Sequence, residues 1–206
     1  MQSHQGLFMP QFPTLAPSSL SMGSQSNNYI SKSIGGVRQA RRSGTTLLTF
    51  DASFSKLTRA QAAQLWGFIQ AQNGQFGVFD FAPPLLKDSL SSSAPATATV
   101  NTAAAARQST VILGGFVANK TVLNAGDLIR FANHAKAYVV ARDAVSNASG
   151  VATINLAFDL IRPLPVATVA GLKNVLVQCS LVDNEQNQSI SAPFFHSLTV
   201  KLIESI

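Results

Sequence analysis

The 206-residue chain has a formal net charge of +6, a hydrophobic fraction of 46% and only 12% charged residues. The apolar fraction is typical of a folded chain and excludes a fully disordered one, and the length suits one domain or two small ones. The charged fraction is about half of the roughly 25% usual for globular domains, so neutral polar residues must cover much of the surface. Such a surface favours burial in an assembly.

Cysteine content and hydropathy restrict where the protein can function. Cys179 is the only cysteine, which excludes an internal disulfide and a multi-cysteine metal site, and we expect it to be a buried thiol. No apolar run approaches the roughly 18 residues of a membrane span, and residues 1–12 lack the features of a signal peptide. We therefore expect no membrane association and synthesis in the cytosol.

The positive charge is concentrated near the N-terminus. Residues 1–60 hold six basic side chains against one acid, a net charge of +5, whereas residues 61–206 carry only +1. Arg38, Arg41 and Arg42 lie just before a predicted strand. They suit a solvated basic edge that resists aggregation, a contact with an acidic neighbouring subunit, or phosphate contacts to nucleic acid. The last is disfavoured because no aromatic residues interleave with the arginines.

The N-terminal segment 1–28 predicts an extended arm. It is rich in Ser, Gln and Met, contains three prolines and shows no hydrophobic period, which indicates a segment that orders only on a partner surface. Phe8 and Phe12 are the apolar side chains around which we expect the arm to contact that partner.

Strands and one helix are predicted next. Residues 29–42 form a plausible strand interrupted by Gly35-Gly36, residues 45–54 alternate apolar and polar side chains, and residues 75–81 form an aromatic-rich strand. Between them, Thr58 and Gln61 have the spacing of a capping box that begins a helix. Its apolar stripe predicts packing on a sheet, and consists of Ala62, Leu65, Trp66 and Ile69.

Composition changes after Lys87. Residues 89–107 are rich in Ser, Ala and Thr with little bulk, which indicates a linker or a weak edge strand leading into a second unit. Short strand-like runs then follow at the spacing of a small closed β-barrel. These runs are 110–113, 127–132, 137–142 and 151–158, and two further strands, 175–182 and 198–206, complete the chain.

Residues that could support catalysis or bind a metal are scattered. The three histidines, at 4, 134 and 196, have no metal-ligand spacing, and no phosphate loop, nucleophile elbow or dinucleotide motif is present. Asp127, Asp143, Asp159 and Asp183 lie at predicted turns and strand ends, where a carboxylate commonly caps an amide. We expect no enzymatic activity, no metal and no cofactor.

A series of short blocks runs in a fixed order from Arg41 to the C-terminus. The blocks are Arg41-Arg42-Ser43-Gly44, Leu57-Thr58-Arg59-Ala60-Gln61-Ala62, Leu65, Phe68, Gly74–Phe79, Asn124–Tyr138, Gly150–Leu156, Asp159-Leu160 and Leu198–Ile206. In this order they resemble the distal tail proteins of long-tailed (siphovirus-type) bacteriophages. The order is more specific than any single block.

That resemblance implies a structural protein that forms a hexameric ring at the distal end of the tail tube. In that family the first and last parts of the chain form a split β-barrel with a helix, and the middle is an inserted OB-like β-barrel. The corresponding division here is an arm at 1–28, a split ring-forming barrel at 29–87 and 176–206, and an inserted barrel at 88–175. The expected fold class is therefore mainly β with one α-helix.

The resemblance also implies partners and a location. Further copies of the chain, the tail tube protein, the tip hub protein and, where present, tail fibres are the expected partners, and DNA passes through the ring without specific binding. The protein would be made in the host cytoplasm and reside in the virion tail tip. We assign the subunit or tube interface to Phe8, Phe12, Arg38, Arg41 and Arg42.

Two binding functions remain as alternatives. The middle barrel could hold a host saccharide, although Phe131 and Tyr138 are the only aromatic pair that it offers for stacking. It could also bind single-stranded nucleic acid, which is disfavoured because the basic excess lies outside it.

Overall fold

The computed structural model describes residues 9–42 and 44–206, and over these residues the chain is mainly β with one α-helix, as predicted. The strands are β1 Ser19–Gln25, β2 Asn28–Lys32, β3 Arg38–Arg42, β4 Leu47–Leu57, β5 Phe79–Phe81, β6 Thr97–Thr102, β7 Thr110–Gly114, β8 Thr121–Leu123, β9 Leu128–Phe131, β10 Ala137–Val139, β11 Ala144–Val145, β12 Val151–Asn155, β13 Val169–Gly171, β14 Val177–Leu181, β15 Gln188–Ser191 and β16 Phe195–Glu204. The helix α1 spans Arg59–Ala71, and a single 3-10 turn follows at Gly74–Phe76.

Two six-stranded antiparallel sheets organise the molecule. The terminal sheet has the order β1-β4-β16-β14-β5, with β15 paired to β16, so strands from the beginning and end of the chain lie side by side. The middle sheet has the order β10-β9-β13-β6-β7-β12. Two small pairs, β8 with β11 and β2 with β3, complete the pairing.

The predicted alternation of the terminal strands is confirmed. Along β4, Leu48, Phe50, Ala52 and Phe54 are buried, while Asp51 between them is exposed. β16 has the same period and pairs with β4 in antiparallel register, with Val200 opposite Ala52. Period-2 burial on adjacent strands places all these apolar side chains on one face of the sheet.

The predicted capping box of α1 is also confirmed. The Gln61 amide donates to the Thr58 hydroxyl, and the Thr58 amide donates to the Gln61 side chain at 3.0 Å. Ala62, Leu65 and Ile69 are buried against the terminal sheet, and Trp66 packs half-buried beside them. Capping satisfies backbone donors that the helix start would otherwise leave without partners.

The N-terminal segment differs from the expected free arm. β1 pairs with β4 along seven residues, and Phe12 is only 6% exposed in the core of its own chain. The Phe12 amide donates to the Asp80 carbonyl at 2.9 Å, and the Asp80 amide donates to the Pro10 carbonyl at 3.0 Å. Backbone pairing orders this segment although its side chains carry no period. The prediction that it orders only on a partner is wrong for residues 9–25, and Phe8 lies outside the described residues.

The Ser/Ala/Thr stretch also differs from the expected linker or weak edge strand. Its residues 97–102 form β6, which lies inside the middle sheet between β13 and β7. Ala98 and Val100 are buried there. Low side-chain bulk does not restrict a strand to the edge of a sheet, because backbone hydrogen bonds hold neighbouring strands about 4.8 Å apart whatever their side chains.

Each sheet has a core of its own. One cluster combines β4, α1, β5, β14 and β16 with Leu128 of β9 and Ala137 of β10, so it extends across the contact between the sheets. The other cluster is formed by strands β6 to β13 and the loops between them. The two connections between the sheets run side by side: the Val175 amide donates to the Lys87 carbonyl at 2.8 Å, and the Ser89 amide donates to the Leu172 carbonyl at 3.2 Å. The boundaries at 88 and 175 stay a prediction of independent domains.

Candidate functional site

The basic ribbon, residues 28–42, is exposed at every side chain that the structure describes. β2 and β3 pair in antiparallel register from Asn28 opposite Arg42 to Lys32 opposite Arg38. The turn between them is closed by the Gly36 amide, which donates to the Ser33 carbonyl at 2.9 Å. The interruption predicted at Gly35-Gly36 is therefore a hairpin turn.

Apolar side chains on the basic ribbon lie in solvent. Tyr29 is 65% exposed, Ile30 and Val37 are exposed to a similar degree, and Ile34 at the turn is fully exposed. An isolated two-stranded hairpin is at best marginally stable in water, and exposed apolar patches commonly mark interaction sites. The ribbon therefore has the properties of a surface that a partner covers.

Positive charges on the ribbon are crowded. Lys32 and Arg38 are directly opposite each other across the two strands, and Arg41 is opposite Tyr29. Like charges at directly opposed positions destabilise a strand pair. A carboxylate supplied by a partner would relieve this repulsion.

Of the five residues predicted for the interface, Arg38 and Arg41 are both exposed on β3, where a spacing of three residues places them on opposite faces of the ribbon. Arg42 takes part in the same strand, opposite Asn28. Phe12 does not belong to this surface, because its ring packs against Phe79 and Phe81 in the terminal core. Phe12 is therefore unavailable as a surface contact, and the interface assignment is corrected at that residue.

A buried ion pair joins the two sheets. Lys136, just before β10, contacts the carboxylate of Glu204, the last residue of β16, and both side chains are fully buried. The amides of Leu48 and Ala137 also donate to Glu204, at 3.0 and 2.7 Å. One carboxylate thus connects β4, β16 and the segment entering β10. Sequence reasoning missed this junction because Lys136 and Glu204 are 68 residues apart.

Burial is the main influence on the protonation of Lys136 at this junction. Burial lowers the pKa of the Lys136 ammonium from its usual value, and the negative charge of Glu204 offsets part of that effect. The ammonium also lies 5.3 Å from the ring centre of Phe158, within cation–π range. Removing one partner of such a pair would leave an uncompensated buried charge.

A second ion pair supports the junction nearer the surface. Arg130 on β9 lies 3.3 Å from the Asp80 carboxylate on β5 and donates to the Leu176 carbonyl at 3.0 Å. Two polar contacts therefore join the middle sheet to the terminal sheet, beside the apolar contacts of Leu128 and Ala137. These contacts fix the orientation of the two sheets relative to each other.

Asp127 has the capping role predicted for it. Its carboxylate accepts hydrogen bonds from the amides of Leu90 and Asn124, at 3.0 and 2.9 Å, and from the Ser89 hydroxyl. No group of three His, Cys, Asp or Glu side chains among the described residues is arranged to hold a metal.

Half-buried His134 and fully buried Tyr138 form a polar pair beside Phe131. His134 Nε2 lies 2.8 Å from the Tyr138 hydroxyl, which also accepts from the Ile161 amide at 3.1 Å. Burial, with the positive charge of Arg162 nearby, lowers the pKa of His134 to about 4, and burial raises the pKa of Tyr138 to about 12. Both groups are therefore neutral at pH 7 and serve to fix the turn between β9 and β10.

Cys179 and the Phe131–Tyr138 pair are closed to solvent. Cys179 is buried as predicted, and its burial, with the charges of Glu204 and Asp80 nearby, raises the pKa of the thiol. Phe131 and Tyr138 have no exposed ring surface, so this pair cannot stack on a sugar. A cleft of about 650 Å³ lies at the base of the basic ribbon, and its described lining residues include Arg41, Phe158 and Asp159 but no histidine or cysteine.

Comparisons with known proteins leave the family open. No protein-family model matches the chain, and no curated protein matches it in sequence. Within the described residues, no helix is long and apolar enough to cross a membrane.

Proposed function

We propose that this chain is a structural protein of a bacteriophage tail tip, without enzymatic activity, that assembles as a ring between the tail tube and the tip hub. The observation that carries the proposal is the ordered series of sequence blocks from Arg41 to Ile206, which resembles distal tail proteins. Six copies per ring and a seat for tail fibres follow from the same resemblance.

The arrangement of the two sheets supports this proposal. The chain ends meet in one sheet, the middle strands pair among themselves, and buried polar contacts join the two sheets. A ring subunit must present several surfaces in fixed relative directions, because each copy contacts two neighbours. The Lys136–Glu204 junction provides such a fixed relation.

The basic ribbon supports the proposal from the surface. Its exposed apolar residues and crowded positive charges suit a contact between protein subunits. We place Arg38 and Arg41 at a subunit or tube interface rather than in a channel, since cationic groups in the channel would retain the DNA that must slide through it.

Locating the protein in purified particles tests the proposal directly. A complementation assay in a phage that lacks this gene should give complete tails only when the chain is supplied, with the tagged chain seen by electron microscopy at the distal tail end. Particles that are complete without the chain, or that carry it only in the capsid, would contradict the proposal.

A charge-reversal variant sharpens that assay. Reversing Arg38, Arg41 and Arg42 to Glu should abolish tail assembly, whereas the matched reversal of Arg59, Lys120 and Arg142, all exposed outside the ribbon, should preserve it. Normal infectious particles from the ribbon variant would remove the ribbon from the interface.

A further inference from the structure

A second exposed apolar surface lies at the opposite end of the sequence. We call the segment 183–195 the acidic edge: it contains the loop before β15, strand β15 itself and the turn into β16. Phe194 is 83% exposed, Ile190 is largely exposed, and Phe195 beside them is also exposed. Exposed aromatic residues of this kind are enriched where proteins bind one another.

Backbone geometry distinguishes the turn of the acidic edge. Phe194 has a φ of 91°, a conformation that a bulky residue rarely adopts. Its amide donates to the Ser191 carbonyl at 2.8 Å, which helps to hold the turn. Strained residues persist where the surrounding structure maintains them, and they cluster at binding sites.

The acidic edge also offers unpaired backbone and negative charge. β15 pairs with β16 on one side, and no described strand pairs with its other side. Asp183 and Glu185 are exposed, and neither forms an ion pair with a described residue. The edge therefore combines free main-chain groups, apolar side chains and carboxylates.

The basic ribbon has the complementary properties. It carries Lys32, Arg38 and Arg41, its apolar side chains are exposed, and each of its two strands has an outer edge without a described partner. Lys201 is a single base at the rim of the shallow depression that Asp183 and Glu185 line. The balance of charge nevertheless favours a cationic partner for the acidic edge and an anionic one for the ribbon.

We propose that the basic ribbon of one copy docks along the acidic edge of the next copy. The contact extends the terminal sheet of the receiving copy by strand addition, with Lys32 and Arg38, which share one face of the ribbon, facing Asp183 and Glu185. Because two different surfaces meet, the contact is head-to-tail and repeats from copy to copy until a ring closes. This inference rests on the proposed ring function and specifies the contact that builds the ring.

Two complementary charge-reversal variants test the contact. The ribbon variant carries Lys32→Glu, Arg38→Glu and Arg41→Glu, and the loop variant carries Asp183→Lys and Glu185→Lys. Each variant alone brings like charges together, so self-association should weaken by about 100-fold, measured by analytical ultracentrifugation and mass photometry. Circular dichroism and thermal melting establish that each variant is folded.

Mixing the two variants provides the decisive measurement. The reversed ribbon then faces a reversed loop, and the natural ribbon faces a natural loop, so the mixture should associate into rings that contain an even number of copies in alternation. Association should also weaken as salt concentration rises. The matched reversal of Arg59, Lys120 and Arg142 should leave association unchanged within about 3-fold.

Each contrary result has a distinct meaning. A loop variant that associates as well as the natural chain, or a mixture that stays monomeric, would overturn the ribbon-to-edge contact while leaving ring formation intact. A natural chain that is monomeric alone and assembles only on the tail tube protein would also overturn it, without contradicting the proposed function. Absence of the chain from the tail tip would contradict the proposed function itself.

Discussion

The Lys136–Glu204 junction and the basic ribbon both depend on charge, but they differ in how that charge is satisfied. At the junction one ammonium and two backbone amides converge on a single buried carboxylate. On the ribbon, Lys32 and Arg38 oppose each other in solvent, and no described acid pairs with them. The charges of the junction are paired within one chain, whereas the charges of Lys32 and Arg38 suit pairing with acids of a partner.

Removing the carboxylate of Glu204 should have the largest effect on stability. Glu204→Ala would leave Lys136 as an unpaired buried charge and would deprive two amides of their acceptor. We expect the free energy of unfolding to fall by about 3–5 kcal/mol, measured by urea denaturation. Lys120→Ala, at an exposed cation outside the proposed contact, is the control and should change it by less than about 0.5 kcal/mol. A loss below 1 kcal/mol at Glu204 would show that the junction contributes little.

A matched pair of isoleucines contrasts the middle core with the ribbon. Ile154 on β12 is fully buried and Ile34 is fully exposed. Ile154→Ala should lower the free energy of unfolding by about 2–5 kcal/mol, whereas Ile34→Ala should change it by less than about 0.5 kcal/mol. Urea denaturation of both variants measures the difference. Equal losses would mean that Ile34 is packed in solution and that the ribbon is already covered.

Acid should lower the free energy of unfolding through protonation of His134. Its folded pKa of about 4 is below the usual 6.5, so the unfolded chain binds a proton that the folded chain does not as pH falls through this range. The contribution of His134 to the free energy of unfolding should therefore be constant above pH 6.5. It should fall by at most about 3 kcal/mol between pH 6.5 and 4. Urea denaturation at pH 7 and 4.5 measures this loss.

Histidine variants separate this effect from general acid denaturation. His134→Gln should remove most of the loss, while His196→Gln should retain it. If the His134 variant showed the same decline as the natural chain, the acid sensitivity would arise elsewhere.

A single substitution in the ribbon should give the smallest effect. Lys32→Glu replaces the like-charged pair with an attractive pair to Arg38, which should stabilise the ribbon by about 0.2–1 kcal/mol. Slower hydrogen exchange of the ribbon amides would report this gain. The same variant should weaken self-association, because one cation for the acidic edge is lost. Stronger association instead would indicate that repulsion within the ribbon, rather than a partner's charge, limits assembly.

Local sequence patterns predicted those features that depend on residues close together in the chain. The capping box at Thr58 and Gln61, the alternation along β4 and the burial of Cys179 all follow from residues near one another in the sequence. Strand β5 was predicted too long, since only residues 79–81 are extended and a 3-10 turn occupies 74–76. Strands such as β8 and β13 have three residues each, too few for a period to be visible.

The candidate site was predicted only in part. Arg38 and Arg41 could be selected because charge density is readable in the sequence, whereas the hairpin turn at Gly35-Gly36 was predicted only as an interruption of one strand. The acidic edge carries no comparable signal, since Asp183 and Glu185 are two acids among neutral residues. Its significance depends on the free side of β15 and on the exposure of Phe194, which are properties of the folded chain.

The sequence by itself determined the mainly β class, the position of the helix and the location of the positive charge, because each depends on the period or composition of a short segment. Only the tertiary structure decided that Phe12 is core, that β6 is an interior strand and that Glu204 meets Lys136. These outcomes depend on backbone pairing and on contacts between distant residues. Side-chain pattern does not encode either of them, so a segment without a period can still be ordered by the strand beside it.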